Sequence, residues 1–72
     1  MGYDVRADLP DYERPRPIRG RIPDVVATRG KTTMIVEVET PDSFRSHKDQ
    51  RDIIRDFARQ RARTTFRVTR TE

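Results

Sequence analysis

Ile22-Pro23-Asp24-Val25-Val26-Ala27, followed by Met34-Ile35-Val36-Glu37-Val38-Glu39-Thr40, decides how this chain folds. Both segments are apolar and rich in β-branched residues, and both read as strands. Thr28-Arg29-Gly30-Lys31 joins them as a short turn, with Gly30 supplying the backbone freedom a tight connection needs. Alternation along the later strand places Ile35, Glu37 and Glu39 on one side, and Met34, Val36 and Val38 on the other. Three acids thus interrupt otherwise apolar runs. An unpaired buried charge is costly, so acids that converge there call for a metal or a cationic partner.

Outward from this pair, the chain is punctuated by proline. Tyr3, Val5, Ala7 and Leu9 alternate with Asp4, Arg6 and Asp8, which predicts a half-buried strand ended by Pro10. Residues 10–19 carry Pro10, Pro15 and Pro17 among Arg14, Arg16 and Arg19. Proline removes donors and fixes φ, so this segment is an extended loop, either a surface connection or a basic strap for a phosphate backbone. The second strand is expected over residues 21–27, with Pro23 confining it to an edge or a strand start. The third runs from about Thr32 to Thr40, where Pro41 stops it. Ser46-His47-Lys48-Asp49 fits a capping box opening a helix to about Ala62. Ile53, Ile54, Phe57 and Ala58 form its apolar stripe, and that stripe extended backwards reaches Gln50. Arg51, Arg55 and Arg59 fall on the exposed side with Asp52 and Asp56. Thr64–Arg70 reads as a last strand with Phe66 and Val68 inward.

The expected fold is α/β (α+β): a small mixed four-stranded sheet, β-β-β-α-β, with one helix on one face. The whole of residues 1–72 makes a single domain. Nothing in the sequence covers the second face of the sheet. Hydrophobic residues are 32% and charged residues 39% of the 72, a thin core that favours a homo-oligomer or a partner over that open face.

Cysteine is absent, which excludes disulfides and Cys-based metal sites. No apolar run approaches the ~20 residues of a membrane span, and no signal-like segment opens the chain, so no membrane partner and a cytoplasmic protein are expected. Net charge is +4, and 14 of the 16 cations are Arg. Arg suits bidentate phosphate contacts, so the balance leans toward nucleic acid. Three glycines leave no Gly-rich phosphate loop, and no serine sits on a strand-to-helix elbow. The single His47 has no second candidate ligand and reads as an exposed first-turn residue.

Glu37 and Glu39, two apart on a strand, project from one face ~7 Å apart along the backbone. Asp24 lies on the neighbouring strand of the hairpin. Oxygen ligands of this kind suit Mg²⁺, which polarises a phosphodiester and activates water. Pro23-Asp24, twelve residues, then Glu37-Val38-Glu39 resembles the PD-(D/E)xK nuclease superfamily, and the following helix and strand extend the resemblance over roughly residues 3–70. The resemblance implies a restriction-endonuclease-like core lacking the first helix, and Mg²⁺- or Mn²⁺-dependent cleavage of nucleic acid, foremost DNA. It assigns Asp24 and Glu37 as metal ligands, with the Val38 carbonyl beside them. Glu39 stands where the family carries lysine, as in a minority of its restriction enzymes, so the chain is either an active nuclease or an inactive descendant. Lys48 or Arg51 is then expected to supply the missing cation, and Gln50 to face the site as in some branches.

The candidate catalytic set is therefore Asp24, Glu37, Glu39, Gln50 and Lys48. Candidate nucleic-acid contacts are Arg16, Arg19, Arg21, Arg45, Lys48, Arg51 and Arg55. The rival readings are a non-catalytic nucleic-acid-binding module and a small dimeric structural or interaction domain.

Overall fold

The computed structural model describes residues 2–71. Strands β1 (Asp4–Ala7), β2 (Val25–Arg29) and β3 (Thr32–Glu39) form an antiparallel meander, and β4 (Thr64–Arg70) adds parallel to β3, in the order β1-β2-β3-β4. Two helices, α1 (Pro41–Ser46) and α2 (Lys48–Arg59), fill the crossover from β3 to β4. The mixed four-stranded α+β sheet matches the expected class. Arg29 pairs with Thr32, so Gly30 and Lys31 are the whole β2–β3 loop. Gly30 holds φ +59°, a left-handed value at which a side chain is strained.

Two expectations about boundaries are corrected. The second strand begins at Val25 rather than Arg21: Pro23 has no N–H to give a ladder, the Asp24 carboxylate takes the Val38 N–H, and Arg21 pairs with Ile18 in a separate bridge. The helical region starts at Pro41 rather than Ser46. Thr40 is the N-cap, with a reciprocal capping box to Ser43, and Pro41 takes the first helical place, where its missing N–H costs nothing. His47 then breaks the helical run in two.

Cross-strand register separates the two faces. Val26, Ile35 and Phe66 are aligned on one, with Glu37 beside Val68 and Glu39 beside Arg70. Helix α2 packs on this face, and Ile35 and Ile54 are both 0% exposed. The opposite face aligns Val5, Ala27 and Met34, then Ala7, Val25 and Val36. No helix lies there. The apolar alternation of Tyr3, Val5 and Ala7 thus belongs to the uncovered face, and of the three only Ala7 is buried. The 8–14 loop curls past Ala7, whose N–H bonds Glu13 O at 3.0 Å.

The proline-rich segment is fastened to the helix side. Arg19 donates to both Asp56 Oδ2 and Gln60 Oε1 at 2.8 Å, which ties the loop to the last turn of α2. A cavity of about 380 Å³, bounded by Pro15, Pro17, Ile18, Val26 and Phe57, lies beneath it. Among the described residues no helix is long and apolar enough to cross a membrane.

Candidate metal centre

Asp24, Glu37 and Glu39 meet at the end of the β2–β3 hairpin, each offering an oxygen, with all three atoms within 4.8 Å of one another. The backbone builds this meeting. Pro23 is buried and fixes the entry to β2, so Asp24 sits just before the ladder begins. Its Oδ2 accepts Val38 N–H at 2.8 Å, continuing the β3 hydrogen bonding where β2 has ended. Its own N–H donates to Glu37 Oε2 at 3.2 Å. The two acids are thereby locked to each other through main-chain groups.

Glu37 is 0% exposed and Glu39 2% exposed. Gln50, on the first turn of α2, donates from Nε2 to Glu37 Oε1 at 3.1 Å. The inward placement of Gln50 read from the helical stripe is what the structure has. Glu39 is held differently: Ser43 Oγ donates to its Oε2 at 2.5 Å, and His47 Nδ1 lies 3.5 Å from the same oxygen. Ser43 is also the residue that closes the α1 capping box, so the helix cap and the orientation of Glu39 are one structure.

Ser43 and the Glu39 contact of His47 escaped the sequence reading. Thr40-Pro41 carried the signal that would have found Ser43, since threonine before proline marks a helix start as readily as a strand end. His47 is exposed, as read from the sequence, and its Nδ1 is also turned to Glu39.

The cations fall elsewhere. Lys48 Nζ reaches along the helix to Asp52 at 2.6 Å, not to the carboxylates. Arg51, expected on the exposed side, is only 6% exposed. Its guanidinium stacks on the Phe44 ring, 3.8 Å from the centroid, and donates to the Phe44 carbonyl. An aromatic face and a backbone acceptor bury this charge in place of a carboxylate. Arg45 pairs with Asp42, and Arg55 lies near Asp52 and over Phe66. Arg16 and Arg21 are exposed and have no ion pair among the described residues.

No Lys or Arg pairs with Asp24, Glu37 or Glu39 among the described residues, in a chain with 16 such cations. Two carboxylates at this spacing repel by roughly 3 kcal/mol at an effective dielectric near 20. The stress is visible on Glu37. Burial, reinforced by the neighbouring Asp24 carboxyl and opposed by the Gln50 hydrogen bond, pushes its pKa from 4.5 up to about 7. Asp24, Glu37 and Glu39 could hold a metal ion, whose positive charge would remove both penalties.

No protein-family model, curated protein or solved structure matches the chain.

Proposed function

We propose that this protein is a metal-dependent nuclease-like phosphodiesterase of PD-(D/E)xK type, acting on nucleic acid and foremost on DNA. One observation carries the reading: two buried carboxylates and a half-buried third converge with no Arg or Lys among the described residues to neutralise them. Asp24 and Glu37 would hold the ion, with Glu39 at its side. A bound divalent cation there supplies Lewis-acid polarisation of a phosphoryl oxygen and a more acidic water.

The chain's own groups do the positioning. Gln50 fixes Glu37 Oε1, and the Asp24 N–H fixes Oε2, so Glu37 cannot swing away when it ionises. Ser43 sets the rotamer of Glu39, the residue standing in the usual lysine position. Glu39 accepts hydrogen bonds where lysine would donate them, so it orients a water by taking its proton side. The exposed Arg16 and Arg21 are available to phosphates in the 14–21 strap.

The test is cleavage of plasmid DNA, single-stranded DNA and RNA with Mg²⁺, Mn²⁺ or EDTA. Metal-dependent cleavage is expected, and the double variant Asp24→Ala/Glu37→Ala should lose about 10³-fold or more of it. Absence of cleavage on every substrate with either metal overturns the catalytic reading. DNA binding that persists unchanged in the double variant then favours the non-catalytic binding module.

A further inference from the structure

Residues 57–71 contain Arg59, Arg61, Arg63, Arg67 and Arg70 and no acid. None of these arginines forms an ion pair among the described residues. Nearer the start of α2 the cations are engaged with acids: Arg45 with Asp42, and Lys48 and Arg55 with Asp52. Asp56, the last acid before the stretch, is held by Arg19 at 2.8 Å. The free positive charge of this region thus gathers where α2 ends and β4 begins.

The fold shapes that region into three adjoining hollows. Arg19, Phe57, Gln60 and Arg61 line the first, of about 560 Å³. Lys31, Thr33, Phe57, Arg61 and Thr64 line the second, of about 370 Å³. Arg55, Arg59, Thr64 and Phe66 line the third, of about 230 Å³. Phe57 and Arg61 are common to the first two, and Thr64 to the last two, so the three make one belt. No carboxylate lines any of them. Lys31, Arg59 and Arg61 are exposed, and Lys31 too has no ion pair among the described residues. The Arg61 guanidinium stacks on Phe57, 4.4 Å from the ring centroid. Stacking fixes the guanidinium plane and leaves its in-plane N–H groups free for a phosphate.

Arg63 adds a backbone observation. It connects α2 to β4 with φ +56°. Glycine takes this left-handed conformation without strain, and arginine does not. The Arg63 carbonyl accepts the Thr33 N–H at 2.8 Å, and its Nη2 donates to Thr32 Oγ1 at 3.3 Å. Its guanidinium thereby stands beside the residue that follows Lys31. An exposed arginine is held there at a backbone cost. The belt also lacks an apolar centre: the exposed large hydrophobic residues Tyr3, Val5, Leu9, Tyr12 and Val38 all lie outside it. Protein interfaces are built round such a centre, whereas a phosphate backbone asks only for cations and hydroxyls.

We infer that this belt binds the phosphate backbone of a nucleic acid, through Lys31, Arg59, Arg61 and Arg63, with the Thr33 and Thr64 hydroxyls beside them. It is a surface apart from the carboxylate cluster. Gln50 meets Glu37 from the first turn of α2, and Gln60 caps the last turn. The helix between them is ~15 Å long. Charge is screened over ~10 Å at 0.1 M salt, so the belt holds phosphates whether or not the cluster carries a metal.

Fluorescence anisotropy of a labelled DNA duplex in EDTA, from about 50 to 200 mM salt, tests the belt apart from any cleavage. The wild-type chain should bind, with log K falling against log salt at a slope of about −3 to −4, as four phosphate contacts require. Arg59→Gln with Arg63→Gly should weaken binding about tenfold or more at the lowest salt and flatten the slope by about 2. Arg63→Gly alone should flatten it by about 1 without lowering the melting temperature, because glycine relieves the left-handed backbone. Arg16→Gln with Arg21→Gln removes the same charge from the strap and should have the smaller effect. Binding of this kind supports the belt even where added Mg²⁺ or Mn²⁺ brings no cleavage, which would fail the catalytic reading alone. A wild-type chain that leaves the duplex free at the lowest salt overturns the belt, and so does one that takes a polyglutamate peptide in its place. A loss from the strap variant equal to or larger than that from the Arg59 and Arg63 variant also overturns it.

Discussion

Raising the pH from 5 to 8 should destabilise the metal-free protein by roughly 2 kcal/mol and lower its melting temperature by about 10 °C. Glu37 drives this. Its pKa is raised by burial and by Asp24 from 4.5 to about 7 in the folded protein. Between those values the folded chain holds a proton that the unfolded chain has released. The stabilisation is therefore complete below the ordinary carboxylate range and is lost as the pH climbs through 7. The magnitude is set below the full shift because water reaches the cluster beside the half-buried Asp24. Asp52 is shifted the other way by its hydrogen bond from Lys48, but it titrates below 3.8, outside this window. A metal ion binds the ionised cluster, so millimolar Mg²⁺ should raise the melting temperature far more at pH 8 than at pH 5. Glu37→Gln keeps the shape and removes the charge. It should flatten the pH dependence and make the metal-free protein more stable at pH 8 than wild type. Melting curves in EDTA across this range read all of these effects, and a wild-type curve that is flat between pH 5 and 8 contradicts the picture of Glu37.

Ile54→Ala should remove most of the folded population. Ile54 on α2 and Ile35 on the sheet face that α2 covers are each 0% exposed. Cutting a buried isoleucine to alanine costs ~2–5 kcal/mol through lost transfer energy and the cavity left behind. A domain of this size has little more than that in total, about 3–5 kcal/mol from a single core. Ile53, its half-buried neighbour, is the control: Ile53→Ala should cost about 1 kcal/mol. Urea titrations followed by circular dichroism measure both, and equal losses would mean that α2 is not docked on the face that carries Ile35.

Much of this was legible in the residues because a strand has a strict period of two. That period placed Glu37 and Glu39 together with Ile35 on one side, and β3 and β4 run very nearly where alternation put them. The helical stripe likewise delivered Gln50 to Glu37. The same period does not say which of two apolar faces a helix will choose. Tyr3, Val5, Met34 and Val36 offer the cleaner apolar set, yet α2 packs on the face that holds the acids, where Val26, Ile35 and Phe66 align. A crossover between parallel strands such as β3 and β4 is right-handed as a rule, and that handedness rather than apolarity selects the face its helices cover. The α1 cap was misplaced because Pro41 signals both the end of a strand and the start of a helix, and only the Thr40–Ser43 bonds distinguish them. Arg51 was assigned to solvent because a guanidinium beside a stripe normally lies there. Its burial depends on Phe44, seven residues away across the α1–α2 break, and no periodicity within one helix registers such a contact.

The most direct test of a divalent ion held by Asp24 and Glu37 is a crystal grown near pH 8, soaked in Mn²⁺ and measured at the manganese absorption edge. The expected result is an anomalous peak bonded to the Asp24 and Glu37 carboxylates, with Gln50 still oriented toward Glu37. A cluster with no peak at millimolar Mn²⁺, its acids instead neutralised by an arginine or lysine side chain, would contradict the metal centre.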